Sequence, residues 1–236
     1  MNFLNQFYSI TEDEQVFVSA SQASNFAKDI AGDYNPIHDV DSKRFCVPGD
    51  LLFAIALNRY GLHKNMSFEF LSLINENVAL QFPSKKGELS EQHLVVLSTK
   101  PVLDISYSGG SSNNKIKIEQ LIRNYVAFSG HNFPDILVPL MKKHDVMINP
   151  QRPLVIYQSM TLEFVNLEFE SLSIGLEDTS LEVNGKRGNA KLHFSLNSDN
   201  QKIGSGVKNL ILSGLREYEE ESIQQMCDRY LSSKNA

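Results

Sequence analysis

Between Val47 and Leu62 the chain reads VPGDLLFAIALNRYGL. From Leu51 to Leu57 it is apolar on every side of a helix. A surface helix carries one apolar stripe, whereas a helix that is apolar all round must be buried. Pro48 and Gly49 allow a sharp entry, Asp50 suits the positive end of the helix dipole, and Gly61 can close the helix. In a chain of 236 residues, something else must wrap this segment.

The residues that follow can do so. Ser67 to Ile74 places Phe68 and Phe70 on one face and Leu71 and Leu73 on the other, Val78, Leu80 and Phe82 alternate, and Gln92 to Ser98 and Val102 to Tyr107 are further strand candidates. This predicts antiparallel strands curved around one helix. Ser108 to Asn114, SGGSSNN, reads as a linker. The pattern then partly repeats. Ile116 to Phe128 and Ile136 to Lys143 read as helices, and Leu154–Phe164, Leu172–Val183, Lys191–Leu196 and Lys202–Leu212 read as strands. Asn184-Gly185 marks a tight turn. Glu217 to Leu231 reads as a docked surface helix with Ile223, Met226, Cys227, Tyr230 and Leu231 in one stripe. The expectation is an α+β chain in three parts: an N-terminal unit (1–110), a similar second unit (115–214), and a C-terminal helix and tail (215–236).

Charge excludes one class of function. The net charge is -6, and broad nucleic-acid binding needs clustered Lys and Arg. The pairs Lys85-Lys86, Lys142-Lys143 and Lys186-Arg187 read as solvated surface, or as a grip on a small phosphorylated ligand. Cys46 and Cys227 form neither a metal-ligand spacing nor a disulfide framework, which fits a reducing compartment. The N-terminus does not read as a signal peptide, and Leu51–Leu57 is too short to span a bilayer. The expectation is a cytoplasmic protein with no membrane or nucleic-acid partner and no bound metal.

A second stretch, GDYNPIH from Gly32 to His38, carries the chemistry. Ser19 and Gln22 fit a capping box, and Ala23, Phe26, Ala27 and Ile30 follow at helical spacing. Gly32 sits where such a helix ends in left-handed geometry. Gly-Asp and Asn-Pro are turn pairs, so a purely structural loop could use them. Such a loop needs neither His38 nor Asp33 at a fixed spacing from it. Pro36 stiffens the connection, so the loop can aim Asp33 and His38 at one point. An acid and an imidazole sharing one water can move protons both ways. Free N–H groups at the start of the buried helix, that of Gly49 included, can receive charge developing on a carbonyl oxygen.

The stretches IAGDYNPIH and VPGDLLFAIAL resemble the MaoC-like dehydratases and R-specific enoyl-CoA hydratases, whose fingerprint is Gly-Asp-x-Asn-Pro-x-His. LQFPSKKGEL is also similar to the segment after the family's helix. The resemblance implies a hotdog fold, here a double hotdog of two antiparallel sheets each wrapping a central helix, in an uncharacterised bacterial branch. It implies that Asp33 and His38 hold the catalytic water, with Asp33 the base in hydration. Gly49 would bind the thioester oxygen, with Asn35 and Asp50 beside the substrate. Substrates would be 2-enoyl or 3-hydroxyacyl thioesters of coenzyme A or acyl carrier protein, with no metal or redox cofactor. Three features depart from the family. Pro48-Gly49 replaces His-Gly, Asp50 stands where an apolar residue is usual, and only ten residues separate His38 from Gly49.

Phe128 to Pro134, FSGHNFP, resembles a degenerate copy of the motif with His131 in place of Asp33. A chance Gly/Asn/Pro loop explains it equally well. If it is a copy, one chain forms a pseudo-dimer with one active site between its halves; a homodimer is the other arrangement. The rival function is a non-catalytic acyl-thioester-binding or interaction protein that kept the loop for shape. His63, His93, His144 and His193 have no ligand-like spacing, and Cys46 reads as a buried small side chain.

Overall fold

The computed structural model describes residues 3–84 and 91–234. Lys85-Lys86 and the Gly87-Glu88 pair of the LQFPSKKGEL stretch lie outside the described residues. Two short strands, β1 (Ser9–Ile10) and β2 (Val16–Phe17), precede α1 (Ala20–Asn25). The Ser19–Gln22 capping box forms as expected, and the helix continues through a wider π turn, Phe26–Ala31. Then come α2 (Gly49–Tyr60), β3 (Leu62–Phe70), β4 (Glu91–Leu97) and β5 (Pro101–Ser112). The second part holds α3 (Lys115–Gly130), a π turn at Phe133–Leu137, α4 (Val138–Lys143) and β6 (Val146–Met147). It continues with β7 (Val155–Phe164), β8 (Ser173–Asn184), β9 (Arg187–Ser198) and β10 (Gln201–Ser213). The chain closes with β11 (Arg216–Glu217) and α5 (Glu220–Lys234).

The chain is α+β, with one large antiparallel sheet in the order β4-β5-β3-β7-β10-β9-β8. Where two sheets were expected, the strands of both parts form one. The join is the antiparallel pairing of β3 with β7, in which Met66 faces Leu162 and Phe68 faces Met160. Both sides of that join are apolar, so pairing buries side chains as well as backbone polar groups.

α2 is buried from Asp50 to Leu57 and again at Tyr60, as its apolar circumference requires. Phe53 meets Phe68 of β3 edge-on at 5.1 Å and Tyr125 of α3 at 5.0 Å. Tyr125 in turn lies 5.7 Å from Phe194 of β9. Thus α2 packs on strands of the first part, α3 on those of the second, and the two helices on each other.

Three expectations are corrected. SGGSSNN is not a linker: its first five residues extend β5, because β3 pairs with them through Leu62↔Ser112. Asn114 instead caps α3, its side chain accepting from the Ile116 and Lys117 N–H groups. The strand set expected at 67–74 begins earlier, at Leu62, directly after the helix. Val78 to Phe82 makes only isolated bridges, Val16↔Leu80 and Gln81↔Leu97. In the first two cases the pairing of β3 with β5 overrides local composition.

The buried side chains form two clusters. The larger surrounds α2 and α3; the smaller joins α4, β6, α5 and the adjoining ends of β8, β9 and β10. Tyr157 packs against both. No helix among the described residues is long and apolar enough to cross a membrane.

Candidate functional site

Where the two clusters meet, a cavity of about 240 Å³ opens. Leu52 and Phe70 face it from the larger cluster, and Leu210 and Met226 from the smaller. The polar groups of the wall come from both parts of the chain.

The first group is the motif loop. Gly32 takes φ +65°, ends the helix and turns the chain toward the cavity. Asp33 Oδ1 then accepts from the Asn35 N–H at 2.9 Å, and Asn35 Oδ1 accepts from the Ile37 N–H at 3.2 Å. Two successive Asx turns thus wind Pro36–His38 into a single tight turn. His38 Nδ1 lies 2.7 Å from the Cys46 carbonyl oxygen. A carbonyl only accepts, so Nδ1 carries the hydrogen, and in that tautomer Nε2 offers its lone pair. Nε2 lies 3.6 Å from Asp33 Oδ2. Each side chain is thereby fixed by one atom and presents the other to its neighbour. The short link from His38 to Gly49 has a purpose here: the Cys46 backbone orients the imidazole. Burial pushes the Cys46 thiol up to about 11, so near neutral pH it stays protonated.

Gly49 begins α2 at the cavity wall. The first N–H groups of a helix have no partner within it, and no side chain caps this end of α2. A side chain at Gly49 would stand 3.1 Å from the Tyr157 ring and 3.2 Å from Phe70. Asn35 lines the cavity, with its side-chain oxygen engaged in the loop.

The second group centres on Asp50. Its carboxylate is buried, and Oδ2 accepts from the Ser129 hydroxyl at 2.5 Å. Lys208, on β10, donates from Nζ to the same hydroxyl oxygen. Lys208 is 3% exposed, and its Nζ sits 4.3 Å from the Tyr157 ring centroid. Burial raises the Asp50 pKa, with the Lys208 charge opposing the shift. Burial likewise lowers that of Lys208, with the Asp50 and Asp33 charges opposing. Both shifts follow from the cost of carrying charge away from water. Tyr157, also on the wall, shares a hydrogen bond with Tyr125.

Two wall residues have polar atoms without a partner among the described residues. They are Asp50 Oδ1 and both amide atoms of Asn132. Buried polar atoms are ordinarily satisfied, so these leave positions for water or for a ligand's own polar groups.

The structure therefore brings Asp33, His38, Gly49 and Asp50 to one cavity. It also shows what the sequence reading missed. In the sequence Ser129 stands out only within the FSGHNFP copy, and Lys208 lies inside a strand run. Tyr230 was assigned to a docked stripe, yet its hydroxyl donates to the Gly130 carbonyl at 2.7 Å and lies 3.4 Å from Asp33 Oδ1. No local spacing marks these residues; a buried lysine within an apolar strand, VKNLIL, was the available signal. His131 takes no place on the cavity wall and is half exposed, 4.0 Å from Asp135. His63 stacks on Tyr107 at 3.9 Å, and His93 pairs with Asp104 at 2.7 Å, both away from the cavity.

Three solved structures give a measure of similarity. An acyl-CoA thioesterase II TesB2 from Mycobacterium marinum is 8% identical, with a TM-score of 0.44, over 92% of this chain and 98% of that one. A tesB protein from Mycobacterium avium subs paratuberculosis is 8% identical, with a TM-score of 0.44, over 72% and 89%. A peroxisomal multifunctional enzyme type 2 from Drosophila melanogaster is 10% identical, with a TM-score of 0.41, over 82% of this chain and 47% of that one. These similarities are distant, and the chemistry rests on the side chains described above. No curated protein matches the sequence. A family model matches residues 2–221, nearly the whole chain, and the chain belongs to that family, described as protein of unknown function (DUF3581).

Proposed function

We propose that the chain is a hydratase/dehydratase of acyl thioesters, built as a double hotdog. It adds water across the double bond of a 2-enoyl thioester of coenzyme A or acyl carrier protein, and removes water from the 3-hydroxyacyl thioester. One observation carries the reading: Asp33 Oδ2 and His38 Nε2 converge 3.6 Å apart on the wall of the cavity. That separation suits two groups sharing one water. The double-hotdog reading is supported by the single sheet shared between two sets of strands, with α2 and α3 packed together.

In the hydration direction, the water donates one hydrogen to Asp33 Oδ2 and the other to His38 Nε2. As the water oxygen bonds to C3, one proton passes to this pair. The C2=C3 π electrons shift to C2 and the thioester oxygen. The resulting negative charge lies against the N–H groups that open α2, Gly49 included. The proton held by the pair is then delivered to C2. One water is split, one C–O and one C–H bond form, and no cofactor is consumed. A charged Asp50 beside the enolate oxygen would by itself oppose this step. The buried Lys208 amine, bridged to it through Ser129, offsets that charge when protonated. Asn132 and Asp50 Oδ1 offer partners to the polar atoms of the bound thioester.

The test is hydration of a short and a medium 2-enoyl-CoA by the purified protein, beside Asp33→Asn and His38→Ala. Loss of ~10²–10⁴-fold in both variants is expected for general acid–base groups. Activity that survives both substitutions removes the reading. Tight acyl-CoA binding with no turnover of either substrate replaces it with the non-catalytic acyl-thioester-binding protein.

A further inference from the structure

The polar groups on the cavity wall include two sets that can move protons, and hydration moves protons through only one of them. The other is Asp50, Ser129 and Lys208. Ser129 Oγ donates to Asp50 Oδ2 at 2.5 Å and accepts from Lys208 Nζ. A hydroxyl held between a carboxylate and an ammonium has the parts of an activated nucleophile. The carboxylate can take its proton, and the cation can hold the alkoxide that forms. All three residues line the cavity, and all three are buried. Asp50 directly follows Gly49, so a carbonyl carbon beside Ser129 Oγ has its oxygen close to the start of α2. We infer that Ser129 is the nucleophile of a second activity in the same cavity, hydrolysis of acyl thioesters or esters through an acyl-serine intermediate.

The steps balance with water alone. Ser129 Oγ attacks the carbonyl carbon and its proton passes to Asp50 Oδ2. The tetrahedral oxyanion collapses, the C–S bond breaks, and the thiolate leaves with the proton from Asp50. Water then gives a proton to Asp50 and its oxygen attacks the acyl carbon. The ester bond breaks, and Ser129 recovers its proton from Asp50 as the carboxylic acid leaves. Burial favours this assignment, because a carboxylate whose pKa is raised is the better base. The acyl-thioester substrate class rests on the proposed function; the nucleophile does not.

Butyryl-CoA tests the inference apart from hydration, since a saturated acyl group has no double bond to hydrate. The full chain is incubated with it, free thiol is followed, and the protein is mapped by peptide mass spectrometry. A small fluorophosphonate, which requires only an activated hydroxyl, is used in parallel. The expected result is thiol release with one butyryl group on Ser129, fluorophosphonate on the same residue, and loss of both signals in Ser129→Ala. That substitution also separates Asp50 from Lys208, so its fold is checked by circular dichroism. The mapping on the unaltered chain stands whether or not the variant folds. Absence of both adducts from Ser129 in the folded chain overturns the inference. So does thiol release that continues undiminished in a folded Ser129→Ala.

Discussion

At Gly32 the first helix ends in the left-handed region, with φ +65°. At Gly130 the chain is still helical, and His131 after it has φ -85°. The two glycines open stretches of related composition, GDYNPIH and GHNFPD, and the stretches touch. A Cβ on Gly32 would meet His131 Nε2 at 2.8 Å, and one on Gly130 would meet the Ala31 carbonyl oxygen at 2.0 Å. Tyr230 ties them together, its hydroxyl within reach of the Gly32 and Gly130 carbonyl oxygens. Gly32 is needed by its own backbone, whereas Gly130 is needed by a neighbour's. The first loop turns out of its helix and holds an acid and a histidine on the cavity wall. The second stays helical one residue longer and delivers Ser129, the residue before its glycine, to Asp50. Similar residues thus serve different chemistry, because one loop is shaped locally and the other by what it packs against.

Activity gives the largest contrast. Asp33→Asn or His38→Ala should lower enoyl-CoA hydration by ~10²–10⁴-fold, whereas His131→Ala should leave it near the parent rate. An equal loss in His131→Ala would mean that the second loop is as catalytic as the first.

Stability separates the two polar groups next. Lys208→Met leaves the Asp50 charge buried without its counter-ion and should cost ~3–5 kcal/mol in urea unfolding. Asp50→Asn with Lys208→Met should cost less than that single change, since no charge is then stranded. The pH dependence has a definite sign. The Asp50 pKa is raised in the folded chain, so its contribution is full below the usual carboxylate range and is lost as pH rises through the folded value. That of Lys208 is lowered, so its contribution is full at alkaline pH and is lost as pH falls through its folded value. The double variant should flatten the dependence at both ends.

The glycines come third. Gly130→Ala drives a methyl group into backbone and should destabilise more than Gly32→Ala. The latter carries a left-handed penalty of ~1–2 kcal/mol and meets only the movable end of His131. Adding His131→Ala should relieve part of the Gly32→Ala loss and none of the Gly130→Ala loss. The smallest effect is that of Tyr230→Phe, about 1 kcal/mol for the hydrogen bond to the Gly130 carbonyl. Thermal unfolding of these variants measures the order.

Much of this was legible beforehand, for local reasons. The apolar run Leu51–Leu57 required a buried helix, and Ser19 with Gln22 required a helix start. Asp33, Asn35 and His38 lie within six residues of one another, so turn chemistry brings them together, and the nearby Cys46 carbonyl fixes the imidazole. The strands expected at Leu154–Phe164 and Lys202–Leu212 form within a residue of those limits, at Val155–Phe164 and Gln201–Ser213. SGGSSNN misled because small polar residues mark a linker only where no strand lies alongside; β3 does.

The sequence by itself determined the buried helix, the α+β alternation and the loop carrying Asp33 and His38, because each depends on neighbours within a few residues. Only the tertiary structure decided that all the main strands join one sheet at β3–β7, since pairing partners are chosen by burial across the chain. It also gave Asp50 its meaning. Alone beside Gly49, an aspartate is an unfavourable charge at a site that must receive one. Its partners stand 79 and 158 positions away, at Ser129 and Lys208, and only folding brings them within hydrogen-bond distance of one hydroxyl. A charge pair can form out of water only where packing has already excluded water, and local sequence does not encode that condition.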